Sequence, residues 1–272
     1  WCAAPITANQ EVTMKKLALI ILGTLSLTAG AKPFVVGSMS GQESDLVTAA
    51  AKVAKEKYGL DVEVKEFDDY VMPNVALNDG DIDANAIQHK PYLDSIVKDR
   101  GLKIVSVANT FVYPIGAYSQ KIKKIDELKD GAEIVIANDP SNGARALILL
   151  DKKGLIKLKD NKNLSASPAD IVENPHKFKI TEVEASQIPN VLPDVDLAFI
   201  NNNFAINAQP PLVPTKDGIL VEDLDSPYVN IIAVREADKD KEEVKKFIQA
   251  YQSAEVEKAA EQVFKGAAVK GW

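Results

Sequence analysis

From Lys32 onward, short apolar runs rich in β-branched residues alternate with longer stretches whose apolar positions recur every three or four residues. Phe34-Val35-Val36 predicts a strand. Leu46, Ala49, Ala50 and Val53 then share one face of a helix from about Ser44 to Tyr58, with Gly59 as its stop. Val62 and Val64 alternate with charges in the next strand, and the pattern continues as helix (71–79), strand (81–87), helix (90–100) and strand (Leu102 to Val107). Strand and helix in alternation predict an α/β chain with parallel sheets covered on both faces.

A second series follows Phe111-Val112-Tyr113-Pro114. Ala132 to Ala137 reads as a buried strand, Ser141 as the N-cap of an apolar helix from Ala144 to Leu150, and Phe178 to Val183 and Val195 to Ile200 as further strands. Tyr228 to Val234 is the last strand-like run, and the two lysine- and glutamate-rich helices after it, ending near Lys265, are expected to be mostly solvated surface. The two series echo each other. Asp81-Ile82-Asp83-Ala84-Asn85 and Asp194-Val195-Asp196-Leu197-Ala198 each follow a helix with a Pro-Asn step and open a short apolar strand ending in amides. Two similar lobes with amide-bearing strand ends between them predict a ligand cleft at that junction.

Ahead of this lies a different pattern. Met14-Lys15-Lys16, the apolar run Leu17 to Leu27 and the small residues Thr28-Ala29-Gly30-Ala31 have the organisation of a secretory signal peptide. Residues 1–13 read as upstream sequence that leaves with the signal, taking Cys2, so 1–31 is set apart from the lobes. Cleavage after Ala29-Gly30-Ala31 would release a free periplasmic protein. Leu27-Thr28-Ala29 also resembles the start of a lipobox, but Gly30 stands where a lipidated cysteine would be.

Composition narrows the chemistry. The 272 residues carry a net charge of −7 with no basic block, which argues against nucleic acid as a partner. With one Cys and two His, no disulfide framework or Cys/His zinc site can be assembled. Hydrolase, nucleotide-binding and zinc-peptidase motifs are absent. Asp81-x-Asp83-x-Asn85 starts like a calcium loop but has Ala86 where Gly is required and Tyr92 where the bidentate Glu belongs.

A few polar residues invite a functional reading beside an ordinary one. Arg145 is placed near the start of a helix, where a cation opposes the positive end of the dipole; it is either a solvated arginine or the anchor for a bound carboxylate. Asn201-Asn202-Asn203 ends an apolar strand and Asn230 lies inside one; they are either turn and backbone-bonding amides or partners for a ligand. His89-Lys90-Pro91-Tyr92 looks like a helix entry, with His89 structural or functional. Tyr70 and Tyr113 suit a pocket wall and a core equally.

Several runs resemble the methionine-binding proteins of the NlpA/MetQ family: Lys57 to Val62, Gly80 to Ala86, Gln88-His89-Lys90-Pro91-Tyr92-Leu93, Asn109-Thr110-Phe111-Val112-Tyr113-Pro114, Ser226 to Asn230, and Ala268 to Trp272. The resemblance extends from about Val35 to Trp272. It implies a two-lobed periplasmic-binding-protein fold (type II-like), with residues 32–112 and 229–272 as lobe 1, 113–228 as lobe 2, and the ligand cleft between them. It further implies a monomeric receptor that captures methionine and hands it to the membrane permease and ATPase of an ABC importer, with no catalysis and no cofactor. Carried over by position, Arg145 would pair with the ligand carboxylate. Asn142, Asn201 and Asn230 would bond its amino and carboxylate groups, and Tyr70, His89 and Tyr92 would wall the thioether pocket. Two departures stand out: Ile87 where the family usually has Phe, and Gly30 in a family commonly lipid-anchored. The ligand expected is L-methionine, with D-methionine, a methionine-containing dipeptide or another apolar amino acid as alternatives. An enzyme using His89 as base is the rival from another class, and a surface or antigenic role without transport a third. Replacing Arg145 by Ala is expected to weaken binding and leave the fold intact.

Overall fold

Side-chain alternation along the first strand decides how the first layer is built. In β1 (Phe34–Met39), Phe34 and Val36 enter one apolar cluster while Val35 enters another on the opposite face. Both faces must therefore be covered, and the elements that follow do so: α1 (Gln42–Tyr58), β2 (Val62–Phe67), α2 (Met72–Asp79), β3 (Ala84–His89), α3 (Lys90–Arg100) and β4 (Ile104–Val112). This computed structural model describes Trp1 and residues 32–272. The signal segment, Cys2 and Gly30 lie outside the described residues. Pro33–Trp272 forms one compact unit.

The chain then builds a second layer from β5 (Gly116–Tyr118), β6 (Glu133–Ala137), α4 (Pro140–Lys152), the short pair β7 (Lys157–Leu158) and β8 (Ile171–Glu173), and β9 (Lys179–Val183). It continues through α5 (Ile188–Val191), β10 (Leu197–Ile200), α6 (Asn202–Asn207), α7 (Pro214–Asp217) and β11 (Leu220–Val221). It returns as β12 (Val229–Arg235), α8 (Glu242–Tyr251), α9 (Ala254–Phe264) and β13 (Val269–Lys270). One sheet has the order β13-β4-β12-β3-β1-β2, the other β11-β5-β10-β6-β9.

The sheets are mixed rather than wholly parallel. β12 runs antiparallel to both β3 and β4, and β5 antiparallel to β10 and β11. The reason lies in the chain path. β4 leaves the first sheet at Val112 and β12 re-enters it at Val229, and these two residues are paired across the sheet, so the outgoing and returning segments run side by side in opposite directions. In both sheets the second face supplies residues to a shared cluster: Met39, Tyr70, Ile87 and Tyr92 meet Val135, Ala137, Ala198 and Ile200.

Two local expectations need correction. Asp139, not Ser141, caps α4: its carboxylate accepts from the Asn142 N–H at 2.9 Å, and the helix starts at Pro140. The last two helices are not mainly solvated. Val244, Phe247, Ala250, Tyr251, Val256, Ala260 and Phe264 are buried in the same cluster as Leu46, Val47 and Ala50 of α1, which makes α8 and α9 a main wall of the first core. Their Lys and Glu residues fill only the outer stripe.

The internal echo has a structural counterpart. The Asp83 N–H donates to the Val35 carbonyl at 2.7 Å while its carboxylate accepts from the Val35 N–H at 2.9 Å. Asp196 repeats this on Glu133, at 3.1 Å and 2.9 Å. Each aspartate locks the start of one strand to its parallel neighbour, and each has a basic partner, Arg235 and Lys121 respectively. The Glu133 N–H, more than Lys121, holds the Asp196 carboxyl below its ordinary range. That stabilisation is fully present above the carboxylate range of the unfolded chain and is lost as the pH falls below that range through the lower folded value. Asp196→Ala is therefore expected to lower stability in urea by about 1 kcal/mol at neutral pH, the group being partly solvent-screened. The gap to wild type should close in acid; equal stability at pH 7 would show that the clamp has no energetic weight.

Candidate functional site

At the junction of the two sheets lies a narrow cleft lined by thirteen residues. All eight residues singled out from the sequence line it: Tyr70, Ile87, His89, Tyr92, Asn142, Arg145, Asn201 and Asn230. Glu43, Gln88, Tyr113, Asn202 and Asn203 complete the lining. Seven of the eight come from the C-terminal ends of strands and the connections and helix starts that follow them, where parallel connections place their loops, and Asn230 comes from the start of the antiparallel β12.

His89 shows how local sequence sets this geometry. It is the N-cap of α3, with Pro91 at the start of the helix, and its Nδ1 accepts from the Tyr92 N–H at 3.1 Å. The remaining ring nitrogen therefore carries the proton, and Nε2 donates to Asn142 Oδ1 at 3.0 Å. Burial, reinforced by the Arg145 charge, pushes the imidazole down to about 3. His89 is a neutral group with both nitrogens engaged.

Asn142 is the point where the halves of the site join. Its Nδ2 donates to both carboxylate oxygens of Asp139, at 3.2 and 3.0 Å. Its Oδ1 accepts from His89 and from Asn201 Nδ2, the latter at 2.9 Å. Two donated and two accepted bonds use the full capacity of a side-chain amide.

The Asn201–Asn203 triplet has capacity left. Asn201 Oδ1 and Asn202 Oδ1 are buried and have no hydrogen-bond partner among the described residues. Asn203 Oδ1 accepts from the Tyr70 hydroxyl at 2.6 Å, leaving its Nδ2 likewise without a partner. Asn230, inside β12 and opposite His89, makes no side-chain hydrogen bond among the described residues. Buried amides of this kind are rare in proteins, and here they converge on one cavity.

The expected placement of Arg145 at the helix start needs correction: because α4 begins at Pro140, Arg145 is its sixth residue, beyond the turn in which the dipole acts strongly, and no opposed dipole singles it out. Nor is it without a protein partner. Nε donates to both Glu222 oxygens at 3.0 Å, Nη2 donates to Glu222 Oε2 and to the Tyr113 carbonyl at 2.8 Å, and the Tyr228 ring lies 4.6 Å from Cζ. Nη1 makes no hydrogen bond among the described residues. Sequence reasoning missed Glu222, which sits 77 positions away in an acidic, polar stretch with no spacing signal.

Aromatic rings form the apolar side. Tyr70 packs against Tyr92 at 5.5 Å and Phe204 at 5.0 Å between centroids, and His89 meets Tyr228 edge-on at 5.0 Å. Phe204 carried no sequence signal beyond hydrophobicity, and Tyr228 stood out only as part of the Ser226 to Asn230 run. Behind this wall, Gln88 is held by a buried amide cluster: its Nε2 donates to Asn74 Oδ1 at 2.6 Å and to Asn85 Oδ1 at 3.0 Å. Among the described residues no group of three or more His, Cys, Asp or Glu side chains could hold a metal ion. The combined lining suits a small zwitterion with an apolar side chain.

Comparison with known proteins agrees with this architecture. The family model for NlpA lipoprotein matches residues 34–272. The D-methionine-binding lipoprotein MetQ of Salmonella typhi is 60% identical over 237 residues, 87% of this chain and 88% of that protein. A crystal structure of the methionine-binding protein MetQ superposes with a TM-score of 0.84 at 58% identity, covering 88% of this chain and 98% of that one. A nutrient-binding protein from Burkholderia cenocepacia, solved bound to methionine, gives 0.85 at 52%, covering 88% and 100%. The fold is thus the two-lobed periplasmic-binding fold, and the chain belongs to the NlpA lipoprotein family.

Proposed function

We propose that this protein is the extracytoplasmic receptor of an ABC importer, closing around methionine and presenting it to a membrane permease driven by an ATPase. The observation that carries the reading is the pairing, in one cleft, of a guanidinium with unpartnered amides at one side and edge-packed tyrosines at the other. A free amino acid needs the first for its charged end, and a thioether suits the second. Family members whose names specify methionine support the choice of side chain.

In this reading Arg145 takes the ligand carboxylate through its free edge, and Glu222 holds the guanidinium at the angle required. Asn201 and Asn230 bond the polar end of the ligand, while Asn142, its amide fully used, positions His89 and Asn201. Tyr70, Ile87 and Tyr92 enclose the side chain. Residues 32–112 with 229–272, and 113–228, are proposed as the two lobes, hinging where β4 and β12 run side by side. The cross-lobe bonds His89–Asn142, Tyr70–Asn203, Asn202–Ala267 and Asn207–Ser40 would then break on opening. Binding without chemistry is supported by His89, which has no free lone pair with which to act as a base. Export by the segment at 14–31, action in the periplasm and a monomeric state complete the proposal; no described helix is long and apolar enough to cross a membrane.

The direct test is titration calorimetry of L-methionine, D-methionine and a methionine dipeptide into protein refolded after unfolding. One-to-one binding of methionine without turnover is expected, with about 2.7 kcal/mol of added stability at ~100 times Kd. Absence of heat and of stabilisation for all three ligands would reject the reading.

The Arg145–Glu222 pair changes what its removal should do. Arg145→Ala leaves a nearly buried carboxylate without its partner, so a loss of about 3–5 kcal/mol in stability is expected, contrary to the intact fold foreseen from sequence. The double variant Arg145→Met/Glu222→Gln should recover most of that stability in denaturant melts while methionine binding stays weaker by ~2–5 kcal/mol. Wild-type affinity in the double variant would remove Arg145 from the ligand site.

A further inference from the structure

The run Ala268 to Trp272 lines no part of the cleft, and the fold lays it against another run noted in the sequence, Asn109 to Pro114. β4 leaves the first sheet at Val112, and this residue is paired on both sides, with Val229 of β12 and with Val269 of β13. Lys270 pairs with Phe111 in the same ladder. β13 has two residues, and they meet the last two of β4, so the pairing is confined to the point where the chain crosses between the sheets.

The contacts at that point are closer than an edge strand requires. The Gly271 N–H donates to the Thr110 carbonyl at 2.9 Å, and Asn109 Nδ2 donates to the Gly271 carbonyl at 3.1 Å. A side chain at 271 has no room. A Cβ there would overlap Val229 Cγ2 and stand 2.6 Å from the Thr110 oxygen, so the segment touches both the outgoing and the returning strand. Trp272 meets Phe111 edge-on at 5.0 Å between centroids, and Phe111 lies 6.2 Å from Tyr113, whose carbonyl holds Arg145 Nη2. Lys270 pairs with Glu257 of α9 at 3.0 Å and lies 5.0 Å from the centre of the Trp272 ring. At the other end of the segment, the buried Ala267 accepts from Asn202 Nδ2 of α6 at 3.1 Å through its carbonyl. Residues 267–272 therefore grip the crossing strands and a helix of the second proposed lobe at once.

An edge strand adds stability wherever it pairs, but this one is placed where a hinge must twist. Rotation of 113–228 against the rest changes the backbone at Val112 and Val229. Val112 cannot turn without disturbing its Val269 pair and the Gly271 contact, while Asn202 leaves the Ala267 carbonyl. Close-packed groups of this kind exchange between discrete arrangements rather than yielding continuously. We propose that residues 267–272 form a strap that is seated in the closed form and shifts on opening, so that it sets the closure equilibrium without touching the ligand. This rests on the receptor reading and its proposed hinge, and adds the element that holds the hinge shut. Apparent affinity falls with the fraction of protein in the binding-competent form, so loosening the strap weakens different ligands by one common factor.

The chain has two tryptophans, of which Trp1 is fully exposed. In the full chain carrying Trp1→Phe, Trp272 is the single reporter, and its emission should change on addition of L-methionine with the midpoint that calorimetry gives. Trp272→Ala removes the ring from Phe111 and leaves the ladder, whereas Gly271→Val forces the segment off Val229. Each should weaken L-methionine and L-selenomethionine by the same factor, at least about threefold, and speed the release of both in stopped-flow measurements. Urea melts of the ligand-free variants separate this from a general loss of stability: lowered stability with wild-type affinity and release rates would reduce the segment to an edge strand and overturn the proposal. Constant Trp272 emission across a titration in which calorimetry records binding would also overturn the strap, leaving the receptor reading intact and requiring neither strap variant to fold. Failure of the wild-type protein to bind methionine at all would overturn both.

Discussion

A guanidinium held almost out of water is costly to fold, and the site is organised around that constraint. Arg145 is 4% exposed, and its position is tolerable only because Glu222, the Tyr113 carbonyl and the Tyr228 ring surround it. Its field also reaches His89, where it adds to burial in keeping the imidazole neutral. Apart from Glu43, the charged groups at the cavity are thus one buried cation and the carboxylate that balances it. In this balanced pair Nη1 alone makes no hydrogen bond among the described residues, so the guanidinium has donors to spare only there.

Around this pair, recognition is divided between groups that are fully used within the protein and groups that are not. Asn142 belongs to the first kind: four bonds tie it to Asp139, His89 and Asn201, and through them to both sheets. Gln88, Asn74 and Asn85 bond one another within the first sheet and its helix α2. These saturated amides give the site rigidity. Asn201, Asn202, Asn203, Asn230 and Glu43 retain bonding capacity, and it is this residue of unmet demand that gives a small cavity chemical direction.

The fold supports the arrangement by repetition. Asp83 and Asp196 clamp equivalent strand starts in the two sheets, which brings the opposite strand ends, with their amides, to the same seam. The antiparallel strands β5 and β12 are the consequence of a chain that must leave the first sheet and come back. Because the two connections are adjacent, a single hinge region can serve both.

Much of this was legible in the sequence because it depends on local order. Hydrophobic periodicity located nearly every long helix and strand, the Asp-x-Asp echo marked the repeat, and amides at strand ends pointed to the cavity. The family runs brought eight side chains into consideration that the fold gathers in one place. What required the tertiary structure was pairing between distant segments. Glu222 reads as one acid among several in a polar loop, and Glu43 as an ordinary helix-start carboxylate; only packing decides that the first meets Arg145 and the second loses its water. The same holds for α8 and α9, whose charged stripes looked like free surface until α1 was laid against their other side. Periodicity is set by neighbours along the chain. Partnership and desolvation are set by whatever the fold brings within a few ångströms, and no local pattern encodes that.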